Sequence, residues 1–315
     1  MTTQQRKLDS GFGHDTTAAD VLDGRDLSGT HAVVTGGYSG LGLETTKALT
    51  NAGASVLVPA RRPEVARAAL DGLARVEIDE LDLSDLDSVR SFADRVLETG
   101  RHIDVLINDA GVMACPETRV GPGWELQFAT NHLGHYALVN HLWPLLSGGA
   151  RVVALSSGGH RITPIRWDDV HFEAGYDRWA AYGQSKTANV LFAVELDRLA
   201  RDRNVRAFAL DPGGILTPLQ RHLTLEEQQE MGWIDEHGDQ LAEWLKTREQ
   251  GAATQTWAAT SPMLEGAGGI YLEECDVAEI SEDDGPGVRP YAIDPGQARR
   301  LWNYSADLTG VDAFA

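Results

Sequence analysis

The sequence predicts an α/β fold, a single doubly wound domain on a mostly parallel seven-stranded sheet. Three observations predict it. Short β-branched runs alternate along the chain with longer stretches of helical composition. The runs are continuously apolar, which marks strands buried on both faces and hence a parallel sheet. The first run also leads straight into a glycine-rich turn and an amphipathic helix, the strand–turn–helix unit of doubly wound folds.

The predicted strands are His31–Thr35, Ser55–Val58, Val76–Ile78, Val105–Ile107, Val152–Leu155, Arg206–Leu210 and Gly269–Leu272. Helical stretches between them include Leu43–Asn51, Leu86–Leu97 and Ala188–Ala200. Residues 1–27 are polar, lack periodicity and read as an N-terminal arm; 28–310 form the domain and 311–315 a C-terminal tail. Two segments interrupt the alternation. Residues 217–250 scatter Leu219, Leu223, Met231, Trp233, Leu241 and Trp244 among charges and predict a small helical excursion beside the sheet. Residues 273–290 carry seven acids and one base, Arg289, with several glycines and predict a mobile acidic loop.

The formal charge is −20 over 315 residues, from 47 acidic and 27 basic side chains. A field of that sign repels phosphate backbones and anionic bilayers, which argues against nucleic-acid and membrane partners. No apolar stretch approaches the length that spans a membrane. The two cysteines, Cys115 and Cys275, have no C-x-x-C spacing, so neither a zinc site nor a disulfide framework is expected. With no basic-then-apolar leader at the start, a cytoplasmic location is expected.

At the first strand end stands Thr35-Gly36-Gly37-Tyr38-Ser39-Gly40-Leu41-Gly42. Glycines there let the backbone approach a pyrophosphate, held against the positive end of the following helix. A glycine turn by itself also serves plain backbone geometry; its place after the first strand gives it meaning. The second strand ends Val58-Pro59-Ala60-Arg61-Arg62. An acidic residue near that strand end would accept from a ribose 2′-hydroxyl. Ala60 has no carboxylate, and a guanidinium such as Arg61 suits a 2′-phosphate. This favours NADP(H) over NAD(H). Asp82 and Leu83 follow the third strand, where an adenine could be read, and Asn108-Asp109-Ala110-Gly111 follows the fourth, at the switch-point crevice.

Tyr182-Gly183-Gln184-Ser185-Lys186 opens a helical stretch. Residues four apart share a helix face, so the phenol and the ammonium can meet one ligand. A free tyrosine titrates near ~10. A lysine cation and an oxidised nicotinamide ring would both favour the phenolate. Ser157 follows the fifth apolar run directly, where a hydroxyl can donate to a carbonyl oxygen as charge builds on it. Capping a turn is the commoner work of serine.

Together these motifs resemble the short-chain dehydrogenase/reductase family from about Leu27 to Gly310. They stand in its order: TGGYSGLG at 35–42, NDAG at 108–111, Asn131, Ser157, YGQSK at 182–186 and PGGILT at 212–217. AYGQSKTANVLF and the ending YAIDPGQARRLW point to the retinol-dehydrogenase-like branch. The resemblance implies a Rossmann-fold oxidoreductase interconverting a carbonyl compound and its alcohol by hydride transfer. It implies Tyr182 as general acid/base, Lys186 on the nicotinamide ribose, Ser157 polarising the carbonyl and Asn131 holding a relay water. Gly36, Ser39, Gly40, Leu41 and Gly42 would line the pyrophosphate. Asp82, Leu83, Asn108, Ala110 and Gly111 would surround the adenosine half, and Pro212, Gly213, Ile215 and Thr217 the nicotinamide end. Pairing through the helix bearing Tyr182 is common in the family and monomers occur in this branch, so a homodimer stays open. Two positions depart from the pattern: Asp109 replaces an asparagine, and Asp211 precedes the Pro-Gly pair.

The substrate class expected is a small, largely apolar ketone, aldehyde or alcohol, with Trp143, His160, Trp179, Trp233 and Trp244 as pocket wall. Two rival readings use the same fold: a non-catalytic dinucleotide-binding sensor or scaffold, and an isomerase or epimerase.

Overall fold

The sheet carries eight strands, in the order β10-β9-β8-β7-β4-β1-β2-β3. Its members are β1 (His31–Thr35), β2 (Ser55–Ala60), β3 (Val76–Glu80), β4 (Val105–Asn108), β7 (Ala150–Leu155), β8 (Val205–Asp211), β9 (Ile270–Glu273) and β10 (Asp276–Val277). A separate ribbon pairs β5 (Arg119–Val120) with β6 (Trp124–Glu125). The computed structural model describes residues 4–283 and 285–315.

Neighbours in the large sheet run parallel except β9 and β10. That last strand is the one beyond the seven expected, and it comes from the segment read as a mobile acidic loop. Glu274 and Cys275 both adopt positive φ, 52° and 57°, the geometry of a two-residue hairpin turn. Neither is the Gly, Asn or Asp that announces such a turn, so the sequence hid it. The rest of the segment is tied down rather than free. Val288 donates to Glu279 O, Ser281 to Val288 O, and Gly287 to the Glu273 carboxylate.

Both faces of the sheet are covered, as continuous apolar strands require. Val33 of β1 faces a core with Phe92, Tyr136 and Leu196 from the helices Leu86–Glu98, Gly134–His141 and Arg178–Ala200. Its neighbours Ala32 and Val34 face the opposite core, with Leu49 and Trp257 from the helices Gly40–Asn51 and Ala253–Thr260. The helix Arg178–Ala200 is buried along most of its length, and the helix Pro295–Thr309 packs against it. Little of it is left for pairing with a second copy.

The chain ends dock on this frame. The Gln5 side chain exchanges hydrogen bonds with the Tyr271 backbone, and Tyr136 donates to Val311 O. The 217–250 region is less helical than expected. It holds a 3-10 turn at Pro218–His222, the short helix Leu225–Glu230, and then irregular chain pinned by an Ile215–Lys246 bridge. Among the described residues no helix is long and apolar enough to cross a membrane.

Candidate active site

The carboxyl ends of β1, β4 and β7 open onto one crevice, and most of the predicted residues meet there. The turn after β1 needs its glycines. Gly36 has φ +70° and Gly40 φ +54°. A Cβ built on Gly42 would stand 2.5 Å from Gly36 O, so only hydrogen fits. Ser39 ends the turn as N-cap of the helix Gly40–Asn51, its hydroxyl making no cap bond. The strap after β8 closes over this helix start. Gly213 takes φ +92°, and the Thr217 side chain would touch a Cβ on Gly40 at 3.4 Å. Both Ile215 and Leu41 crowd Gly251. Thr217 caps the 3-10 turn that follows, accepting from Leu219 N.

Around the adenosine side, Leu83 is buried and Asp82 accepts from the backbone and hydroxyl of Ser84. Asn108, buried at the end of β4, has no hydrogen-bond partner for either amide atom. Such an orphaned amide is costly unless a ligand completes it. Together with the glycine cradle it fits a dinucleotide. Ala60 is buried, while Arg61 and Arg62 are exposed beyond it. Arg221 arrives from the 3-10 turn, and burial followed by the positive field of Arg61 holds its guanidinium below the usual range. The sequence missed this third arginine because it lies far along the chain in an otherwise featureless charged segment.

At the other end, Ser157 follows β7 and does two things. Its hydroxyl caps the turn Gly158–Ile162 by accepting from Gly159 N at 3.0 Å, and it lies in hydrogen-bond reach of the Tyr182 hydroxyl. Burial pushes the Tyr182 phenol up to about 12, against the Ser157 bond, which lowers it. Lys186 sits 5.6 Å over the Tyr182 ring and donates to Leu155 O at 3.1 Å. Burial draws its ammonium down to about 8, with Asp109 and Asp211 opposing. In the protein alone, desolvation therefore outweighs the Ser157 bond, and the Asp211 charge adds to it.

Asn131 lies in a five-residue π-helical stretch, Ala129–Leu133. Such wide turns recur at functional sites because they redirect a side chain. Its amide bonds Val112 N and O and Ser185 Oγ, all between 2.8 and 2.9 Å. A Cβ on Gly111 would stand 3.2 Å from Asn131 Oδ1 and 3.8 Å from Lys186 Nζ, which joins the two halves of the crevice. Asp211 forms an ion pair with Arg161 at 3.6 Å, tying the end of β8 to the Ser157 loop.

The expected pocket wall needs correction. Trp143 packs against Phe314 near the C-terminus, the rings tilted by 53° with centroids 4.4 Å apart, because the last residues fold back there. His160 is 0 % exposed and spends both ring nitrogens inside, on Ser157 O and Arg289 N. Trp244 is 55 % exposed and leans on Gly214. Trp179 and Trp233 do join Tyr182, together with Met113, Ala114, Leu219 and Leu223.

The short chain dehydrogenase family model matches residues 30–228. The chain belongs to the short-chain dehydrogenase/reductase family. It is therefore an oxidoreductase of a family that binds NAD(P). A "Probable oxidoreductase" of Streptomyces lividans is 47 % identical over 295 residues, covering 90 % of this chain and 98 % of that one. Human retinol dehydrogenase 14 is 34 % identical over 308 residues, covering 90 % and 88 %. Among solved structures, an uncharacterized protein from Mycobacterium paratuberculosis superposes with TM-score 0.74 at 34 % identity, covering 96 % and 99 %. A Beutenbergia cavernae protein assigned as an NAD(P) dependent gluconate 5-dehydrogenase, with bound NADP, gives 0.62 at 28 % identity, covering 79 % and 96 %.

Proposed function

We propose that the protein interconverts a largely apolar carbonyl compound and its alcohol with NADP(H), using Tyr182 as general acid in reduction and base in oxidation. The arrangement that carries this reading is Ser157 and Tyr182 with hydroxyls in hydrogen-bond reach, and Lys186 5.6 Å over the tyrosine ring. The nicotinamide supplies or accepts the hydride. The protein supplies the rest. Held up near 12, the phenol stays protonated at neutral pH, the form needed to give a proton to a growing alkoxide. Ser157 donates to the same oxygen and fixes the carbonyl between the two hydroxyls. For the reverse direction the phenol must lose its proton. The Lys186 ammonium, turning toward the ribose, and the positive charge of an oxidised ring both favour that. Asn131, anchored to Val112 and Ser185, holds the water that passes the proton onward from Lys186.

The apolar cluster of Met113, Trp179, Leu219, Leu223 and Trp233 beside Tyr182 suits an apolar substrate and excludes water from the reacting oxygen. NADP(H) is favoured because Ala60 offers no carboxylate to a 2′-hydroxyl and three arginines gather nearby. The relative with bound NADP agrees with that choice. A cytoplasmic location belongs to the same reading, with both cysteines present as free, buried thiols.

The test is a panel of aromatic and aliphatic ketones and aldehydes with NADPH, followed by loss of reduced-nicotinamide absorbance, for wild type and Tyr182→Phe. The variant should bind NADPH within about twofold of wild type and lose roughly 100-fold or more of the turnover. Full turnover without the hydroxyl would sink the assignment.

A further inference from the structure

Asp109, after Asn108, is one of the two positions read above as departing from the family's motifs, carrying a carboxylic acid in place of an amide. Asp109 lies directly beneath the glycine turn. A Cβ built on Gly36 would stand 3.0 Å from Asp109 Oδ2, and one on Gly42 2.6 Å. The carboxyl thus shares the space beneath the two glycines proposed to line the pyrophosphate, and it faces the Gly42 N–H at the start of the helix Gly40–Asn51.

Its hydrogen bonding is incomplete in an informative way. Oδ1 is buried without a partner, and so is Oε1 of Gln255, a side chain within hydrogen-bond reach of the same carboxyl. The Gln255 Nε2 is committed to Thr45 Oγ1. Asp109 Oδ1 therefore lacks a full donor, because the Gln255 amide that approaches it is held by Thr45, and an unpaired buried acceptor costs free energy. A proton on the carboxyl removes the charge and with it most of that cost.

The groups facing Asp109 come from each packed element. The helix Gly40–Asn51 presents the Gly42 N–H, and the helix Ala253–Thr260 presents uncharged Gln255. The helix Arg178–Ala200 contributes the Lys186 cation. From the helix Gly134–His141, His135 reaches Thr35 Oγ1, which accepts from the adjacent Ala110 N. Burial keeps that histidine neutral, drawn down to about 4. Burial likewise pushes the Asp109 carboxyl up to about 7, with the Gln255 contact, the Lys186 charge and the Gly42 N–H working against it.

We propose that dinucleotide binding to this chain is coupled to the uptake of one proton on Asp109, so that the bound state holds a neutral carboxyl beneath the glycine turn. The inference rests on the dinucleotide-binding reading above. The balance is one proton from solvent, with no bond made or broken in the ligand. An ionised carboxylate repels the pyrophosphate and competes with it for the Gly42 N–H; the neutral acid does neither. Nearby phosphate charge raises the carboxyl's affinity for its proton. Binding is therefore independent of this group below about pH 7 and weakens above it, where the free protein has lost the proton.

The measurement is calorimetric titration of the whole protein with NADPH at pH 7 and pH 8, in buffers of different ionisation enthalpy. In this range a 2′-phosphate is already doubly ionised and adds no uptake of its own. Wild type should take up between half and one proton at pH 8, and its Kd should rise several-fold, up to about tenfold, from pH 7 to 8. Asp109→Asn, close in shape, should lose the uptake and bind NADPH more tightly than wild type at pH 8. Lys186→Arg, which removes the lysine's titration, should keep it. No uptake in wild type overturns the proposal, leaving an ionised Asp109. So does any variant pattern other than loss in Asp109→Asn with persistence in Lys186→Arg. Absence of NADPH binding by wild type would remove the dinucleotide reading itself, a distinct failure.

Discussion

Gly159 lies under the ring of Tyr182 so closely that a Cβ built on it would stand 2.8 Å from Tyr182 Cε1 and 3.1 Å from Cδ1. Its own N–H donates to Ser157 Oγ at 3.0 Å. The residue thus sets both proposed catalytic hydroxyls at once: one by contact with the ring, the other by a hydrogen bond. Its φ is not positive, so an alanine meets no backbone strain there; the obstacle is the ring itself.

Gly159→Ala should therefore move the ring or the Ser157 loop. Overpacking of this kind costs about 1–3 kcal/mol of stability. Displacement of the reacting groups by a fraction of an ångström should cost turnover on the order of 100-fold. NADPH affinity should stay near normal, because the contact is remote from the glycine turn. Thermal melting, cofactor titration and turnover of the variant check this, and unchanged turnover would show that the ring has slack.

Gly159 also shows where sequence reading reaches its end. Tyr182, Lys186 and the glycine turn are legible because their spacing is local: one helix face, one strand-to-helix turn. Ser157 is legible because it ends an apolar run. What Gly159 touches is set by how the Ser157 loop lies against a helix that begins nineteen residues later, at Arg178. Gln255, beside Asp109, is farther still along the chain and sits on a helix with no motif. Trp143 and His160 were misplaced for a related reason. Large aromatic and imidazole side chains serve cores as readily as pockets, and only the fold-back of Phe314 and the arrival of Arg289 decide between them. The hairpin at Glu274 and Cys275 was illegible because its positive-φ residues are not those that favour such turns.

The cofactor preference rests on electrostatics that titration can separate. Arg61 is exposed at the end of β2 with Arg221 close by, and the shared positive field raises the affinity of this corner for a doubly charged phosphate. Arg61→Ala should weaken NADPH by roughly 10- to 100-fold, the range of a charge-assisted hydrogen bond. NADH, lacking the 2′-phosphate, should change by less than about threefold. Arg221→Ala should shift NADPH in the same direction and by less, because its side chain reaches the corner from a surface turn. Both losses should shrink in high salt. Equal losses for NADPH and NADH would place Arg61 away from the 2′-phosphate.

Four histidines are buried, and the three drawn furthest down give the fold its acid limit. Burial draws His132 down to about 3, and His135 and His160 each to about 4. His132 lies among Phe128, Tyr136 and Phe192 and bonds Ser305 Oγ at 2.7 Å. His160 meets Ser157 O with Nδ1 and the Arg289 N–H with Nε2, so Nδ1 carries the proton and Nε2 must accept. A second proton would set two donors against each other. All three have folded values below the unfolded one, so the unfolded chain binds protons first as pH falls. The stability tied to them is present above about pH 6.5 and is lost as pH drops toward 4. Each roughly tenfold difference in proton affinity between folded and unfolded chain is worth about 1.4 kcal/mol. Each site therefore contributes on the order of 3 kcal/mol. Asp109, its folded value raised to about 7, works in the opposite sense between pH 7 and 4, so the urea midpoint should fall below pH 6 by less than the histidines alone would give. His132→Gln should lose less stability than wild type between pH 6.5 and 4, since one of the sites that binds a proton on unfolding is gone. An identical fall in wild type and His132→Gln would mean that this ring reaches solvent and titrates as it does in the unfolded chain.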